Sequence, residues 1–202
     1  MKTINIFSLF LFIIFFSSYI TKLIILYRKD RISANVHGKA GKESNIHKAE
    51  ILVKISTFIW GFMWLLLSLF ETKIVSIIIP LKTSILINYA GVITTLAGVL
   101  IFITAMISMK TSWRVGIDKS TQTKLITSSI YKYSRNPAFV GFDLMFLGVA
   151  AIYPGLVTVL VAIVNIVAIH NLILKEEMHL KSTFGDSYIK YMKQTARYIL
   201  FK

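Results

Sequence analysis

The stretch Ala138–Leu174 reads AFVGFDLMFLGVAAIYPGLVTVLVAIVNIVAIHNLIL, two apolar blocks separated by Tyr153-Pro154-Gly155. The blocks, Ala138–Ile152 and Leu156–Leu174, carry one charged residue between them, Asp143. Pro-Gly is a turn signal. A helix needs about 20 apolar residues to cross a hydrocarbon core of ~30 Å. The second block meets that length and the first is short, so the pair reads as a tight hairpin of helices inside a bilayer.

Working outward, three more apolar runs precede the hairpin: Ile4–Tyr27, Ile51–Phe70 and Ile85–Met109. The chain of 202 residues is 55% hydrophobic, and its apolar residues are gathered into blocks as a soluble core would not gather them. The fold class expected is all-α, a polytopic transmembrane helical bundle of about five spans. The first run is longer than the 7–15-residue core of a signal peptide and no small-residue cleavage pattern follows it, so it is expected to be an uncleaved first span. There are no cysteines, which excludes disulfides, zinc–thiolate sites and a cysteine nucleophile.

The net charge of +14 would suggest nucleic acid on a soluble chain. Here the basic residues fall between the spans. Arg28–Lys48 holds six Lys and Arg, Glu71–Lys82 two, Lys110–Arg135 six, the Tyr153–Gly155 turn none, and the tail from Lys175 six. Few and many alternate as five crossings require, with the N-terminus outside and the C-terminus cytoplasmic. Membrane topology accounts for the charge without nucleic acid. Arg28–Glu50, with Gly38 and Gly41, reads as a cytoplasmic loop.

The polar residues that stand out all follow Trp113. Tyr131-Lys132-Tyr133-Ser134-Arg135-Asn136-Pro137 leads into the fourth span, and Pro137 suits a first helical turn, where its missing N–H is no loss. Asp143 lies inside that span. Asn165, His170 and Asn171 lie in the fifth, and Glu176 and Glu177 at its end. His170 and Glu177, seven apart, share one helix face; Asn165 and Glu176, eleven apart, share another. Adjacent acids at a helix C-terminus oppose the helix dipole, so a cation should offset them: Arg135, a lysine or a cationic ligand. Beyond them, Lys175–Gln194 has apolar residues at helical spacing (Leu180, Phe184, Tyr188, Tyr191), with a bend at Gly185-Asp186; it reads as an interfacial helix that can also close a pocket.

Three segments carry a resemblance. One is Leu125-x-Thr-x-x-x-Tyr131-x-x-Ser-Arg135-Asn136-Pro137-x-Phe139-x-Gly141. The second is Glu176-Glu177-x-x-Leu180-x-x-x-Phe184-Gly185-x-x-Tyr188-x-x-Tyr191, and the third, upstream, is Ser112-Trp113-Arg114-Val115-Gly116. Together they resemble the catalytic region of the isoprenylcysteine carboxyl methyltransferase and phospholipid methyltransferase superfamily, over about residues 110–198. The resemblance divides the chain into N-terminal helices with a basic loop (1–109) and a catalytic, cofactor-binding region (110–202). It implies S-adenosylmethionine as cofactor, with Leu125, Tyr131, Arg135, Asn136, Pro137, Phe139, Glu176 and Glu177 around it. Family members often have His at Asn136 and Tyr at Phe139.

The residues suit that chemistry. Either glutamate can pair with the cofactor's ammonium, and Arg135 can take its carboxylate bidentately. Aromatic faces at Tyr131, Tyr133 and Phe139 can meet adenine or the sulfonium. The catalytic candidates are Arg135, Glu177 and His170, with Glu177 or His170 as base should the acceptor be an amine. The function expected is methyl transfer to a lipid-like or prenylated carboxylate, amine or thiol drawn from the bilayer. The rivals are an NADPH-dependent membrane reductase of related fold and a non-enzymatic scaffold or transporter subunit. No metal site is read from the sequence.

Overall fold

The computed structural model describes residues 2–32, 34, 44–114, 116 and 124–198. Six α-helices make up the described chain: α1 (Thr3–Asp30), α2 (Ser44–Ile74), α3 (Ile85–Ser108), α4 (Pro137–Ile152), α5 (Leu156–Phe184) and α6 (Asp186–Gln194). Short 3₁₀ turns at Val75–Ile78, Lys110–Ser112 and Ser129–Lys132 connect them. There are no strands among the described residues. The fold is the polytopic helical bundle that the apolar blocks predict. Four helices (α1, α2, α3 and α5) are long and apolar enough to cross a membrane, and α4 is an apolar helix of 16 residues. Large apolar side chains line the outside, among them Phe7, Phe10, Ile13, Phe58, Ile93 and Val167. Exposed in such numbers they require a lipid solvent.

Most helices overrun the apolar blocks. Arg28–Asp30 belong to α1 and 44–50 to α2, so the loop expected over Arg28–Glu50 is shorter; residues 35–43, with Gly38 and Gly41, lie outside the described residues. Apolar counting stops at the first charges, whereas a helix continues until its backbone bonding ends. The hairpin forms as expected, and α5 continues through Glu176 and Glu177 to Phe184 before Gly185, with φ of +52°, turns the chain into α6.

Helix α4 runs antiparallel beside α3 with their backbones in contact. A Cβ on Gly98 would meet the Gly141 carbonyl at 2.6 Å, and one on Gly91 the Gly148 carbonyl at 2.7 Å. One on Gly148 would strike Thr95. Gly91 and Gly98, like Gly141 and Gly148, are seven residues apart and stack on one face, as small-residue membrane interfaces do. Asn88 caps the far end of α4, its Nδ2 donating to the carbonyls of Ala151 (3.1 Å) and Ile152 (2.9 Å).

At that end a buried polar cluster fastens α1 and α2 to the turn. Trp64 Nε1 donates to Ser8 Oγ (2.9 Å), Ser8 and Ser68 share a hydrogen bond (3.0 Å), and Tyr153 OH donates to Ser68 (3.3 Å). Leu81 N donates to the Pro154 carbonyl and Leu156 N to that of Ile79, which seats the α2–α3 connection on the turn. The far end thus holds the N-terminus and the Tyr153–Gly155 turn, and the opposite end holds Arg135, Glu177 and α6.

Replacing Gly98 with Val should destabilise the protein by about 1–3 kcal/mol, because the backbones must separate. Gly61→Ala, where a new Cβ meets nothing within 4 Å, should be neutral or stabilising by up to ~1 kcal/mol. Thermal unfolding of the two variants in detergent checks the contrast.

Candidate functional site

Asn136 precedes α4, whose first residue is Pro137, and Glu177 lies on the last third of α5. The hairpin returns the two helices side by side, so residues 41 apart in sequence meet. Arg135 Nε donates to Glu177 Oε1 (3.1 Å), Arg135 Nη2 lies 3.0 Å from the same oxygen, and Asn136 Nδ2 donates to it at 3.0 Å. The other oxygen, Oε2, accepts from Arg197 Nε (3.1 Å) and Nη2 (2.9 Å). Glu177 is 5% exposed. A carboxylate that deep costs several kcal/mol in lost hydration. Two guanidiniums and an amide offset that cost and keep it an anion.

The same arginine fastens the chain after α6. Arg135 Nη1 donates to the carbonyl of Thr195 (2.6 Å), and its backbone N–H to that of Ala196 (2.9 Å). Ser134 Oγ donates to the Arg197 carbonyl (3.0 Å). Tyr191 on α6 donates its hydroxyl to the Tyr131 carbonyl (2.6 Å). Burial pushes the Tyr131 phenol up, aided by the charge of Glu176, and burial pushes Tyr191 up against the opposing charge of Arg135. Both phenols are therefore neutral at physiological pH.

Beside this knot opens a cavity of about 1370 Å³. Ligand pockets usually hold roughly 300–1,000 Å³, so this one has room for more than one small molecule. Leu125, Tyr131, Arg135, Asn136, Phe139 and Glu176 line it; Pro137, Glu177 and His170 do not. The two glutamates point different ways, as a helix dictates at ~100° per residue. Glu177 faces α4 and the C-terminal segment. Glu176 faces the cavity, within the electrostatic reach of Glu177 and Glu50. Around the same end stand Trp113, Arg114, Lys124 and His179. Arg114 donates to the carbonyls of Thr111 (2.8 Å) and Trp113 (2.9 Å). From there the cavity runs between α1 and α2, past Phe12, Phe16, Phe58 and Phe62, of which the last three are at least half exposed at the lipid-facing surface.

A family model described as phospholipid methyltransferase matches residues 86–187, half of the chain. The chain belongs to the phospholipid methyltransferase family. It is also similar to Protein-S-isoprenylcysteine O-methyltransferase of Schizosaccharomyces pombe, 39% identical over 71 residues, which are 35% of this chain and 30% of the relative. The matched region holds α3, α4 and α5 with Arg135, Glu176 and Glu177. The α1 and α2 walls of the cavity and Arg197 lie outside it.

Within this family member, His170 and Asp143 stand apart from the cavity. His170 Nδ1 shares a hydrogen bond with the Tyr198 hydroxyl, and the two rings stack. Asp143 lies two turns below Asn136, near Tyr198, with Oδ1 buried and unpartnered among the described residues. Reading the sequence missed three contributors. Arg197 carries no helical pattern or motif. Glu50 is fully buried on the first turns of α2, in a stretch that reads as loop. Tyr191 reads as an apolar position and as a member of the Glu-Glu motif, and neither reading gives its hydroxyl the role of closing the knot.

Replacing Glu177 with Gln leaves two arginines facing a neutral amide. It should destabilise the protein by about 3–5 kcal/mol, as removal of one partner from a buried ion pair does. Arg197→Ala, whose side chain is 35% exposed, should cost about 1 kcal/mol. Thermal unfolding and trypsin cleavage near residue 190 should both register the difference.

Proposed function

We propose that this chain is an integral membrane methyltransferase that uses S-adenosylmethionine and methylates an acceptor with a long apolar chain, with Glu176 as the acid that meets the cofactor. The observation that carries this reading is the cavity: it joins a charged end, with Glu176 in its wall, to the lipid-facing surface between α1 and α2. We further infer that the charged end is cytoplasmic and the N-terminus outside, following the excess of Lys and Arg.

The lining suits the cofactor's mixed charge. Glu176 would pair with its ammonium or lie near its sulfonium. Arg114 and Lys124 stand on the same cavity and would take its carboxylate. Tyr131 and Phe139 offer aromatic faces. When bound, the cofactor supplies a methyl group activated by the adjacent sulfonium. Methyl transfer is an in-line displacement, so placement of the two reactants supplies much of the rate.

The chain's own residues divide that labour. Arg135 and Glu177 neutralise each other, so they act as positioning residues that hold the 131–139 segment rigid. Tyr188 and Tyr191 on α6 cover the charged end and exclude water, which strengthens every charge interaction inside. An acceptor carboxylate is already ionised and needs no base. For an amine acceptor, Glu176 is the carboxylate on the cavity that can take the proton. The apolar passage between α1 and α2 would hold an acyl or prenyl chain.

Isothermal titration of detergent-purified protein tests the reading. S-adenosylmethionine should bind, and Glu176→Gln should weaken it at least about tenfold, or ~1.4 kcal/mol. Label should pass from methyl-tritiated cofactor into a lipid extract. Absence of cofactor heat, or hydride transfer from labelled NADPH instead, would overturn it.

A further inference from the structure

A second, smaller groove of about 460 Å³ lies on the outer side of the bundle, where the start of α2 crosses the end of α5. Asn45, Lys48, Ala49 and Leu52 line it from α2, at spacings of three and four that share one helix face. Ala168, Asn171, Leu174, Lys175 and Met178 line it from α5. Ala49 and Ala168 are buried, and their small side chains make the floor. Leu52, Leu174 and Met178 are exposed around it.

Among the described residues, Asn45, Lys48, Asn171 and Lys175 enter no hydrogen bond or ion pair. Asn171 is exposed on the same outward face as Val167, Leu174 and Met178. An amide facing hydrocarbon without a partner costs free energy that a bonded one does not. Among the described residues no acid lines the groove: Glu50 is fully buried and Glu176 lines the cavity instead.

We propose that this groove binds one anionic phospholipid. Its phosphate sits between Lys48 and Lys175, the amides of Asn45 and Asn171 meet its glycerol and ester oxygens, and one acyl chain lies along Leu52 and Leu174. Basic pockets between transmembrane helices recognise lipid headgroups in this way, by charge at the interface over an apolar floor. The lipid bridges α2 to α5 directly behind the helix turns that carry Glu50, Glu176 and Glu177. This site does not depend on the methyl-transfer reading, since neither helix face belongs to the cavity.

Native mass spectrometry of the full chain in detergent, titrated with phosphatidylglycerol, tests it. One lipid should be retained, and phosphatidylcholine should bind at least about fivefold more weakly, because it is net neutral. Joint replacement of Lys48 and Lys175 by Gln should weaken phosphatidylglycerol at least about tenfold, since each lysine near an anionic surface contributes appreciably. Replacing Lys190 and Lys193 on α6 by Gln should leave retention unchanged, as should Glu176→Gln in the cavity. Inorganic phosphate should not compete. Equal retention of both lipids, retention by the double lysine variant, loss with the α6 variant or competition by free phosphate would each overturn the site.

Discussion

One buried carboxylate ties together the segment before α4, α5 and the chain beyond α6. Glu177 accepts from Arg135 and Asn136, in the segment just before α4, and from Arg197 in the chain beyond α6. At the edge of a membrane the interaction is stronger than in water, and so is the penalty for leaving any member alone. Removing the acid would strand two guanidiniums; removing either arginine would strip donors from a nearly inaccessible anion. The segment carrying Tyr131 and Phe139 is therefore fastened by interactions within the chain itself.

That knot is useful only because α4 is rigidly seated. Four glycines bring α3 and α4 together at backbone distance, leaving the face of α4 with Phe139, Phe142 and Phe146 turned inward. Phe102 from α3 meets Phe142 and Trp113 edge to face, with ring centres 5.1 and 5.7 Å apart. These rings form a stiff wall on one side of the cavity. The other side, between α1 and α2, is mostly apolar, with Lys54 and Thr57 among its lining residues. One space thus presents water-compatible charge at one end and hydrocarbon at the other, which suits reactants that arrive from different solvents.

Much of this was legible beforehand. The apolar blocks mark the helices, Pro154-Gly155 marks the hairpin, and the Arg-Asn-Pro and Glu-Glu patterns mark the two segments that meet. Three things were not. Helix ends were underestimated because charged residues, which stop an apolar count, are also what helix ends carry into the headgroup layer. The division of labour between Glu176 and Glu177 depends on which face of α5 meets α4, and that is set by tertiary packing. Arg197 and Glu50 are ordinary surface charges by composition, and only the fold buries one and brings the other onto Glu177. His170 shares a helix face with Glu177 as spacing implies, but that face turns to Tyr198 and away from the cavity.

The coupling between Arg135 and Glu177 is the most direct test of whether the knot holds the site together. A double-mutant cycle on unfolding, with each residue changed to Ala singly and together, measures it. An interaction of at least about 2 kcal/mol is expected, the double variant costing far less than the two single costs added. Costs that add to within about 0.5 kcal/mol would contradict it, because the two side chains would then be acting independently.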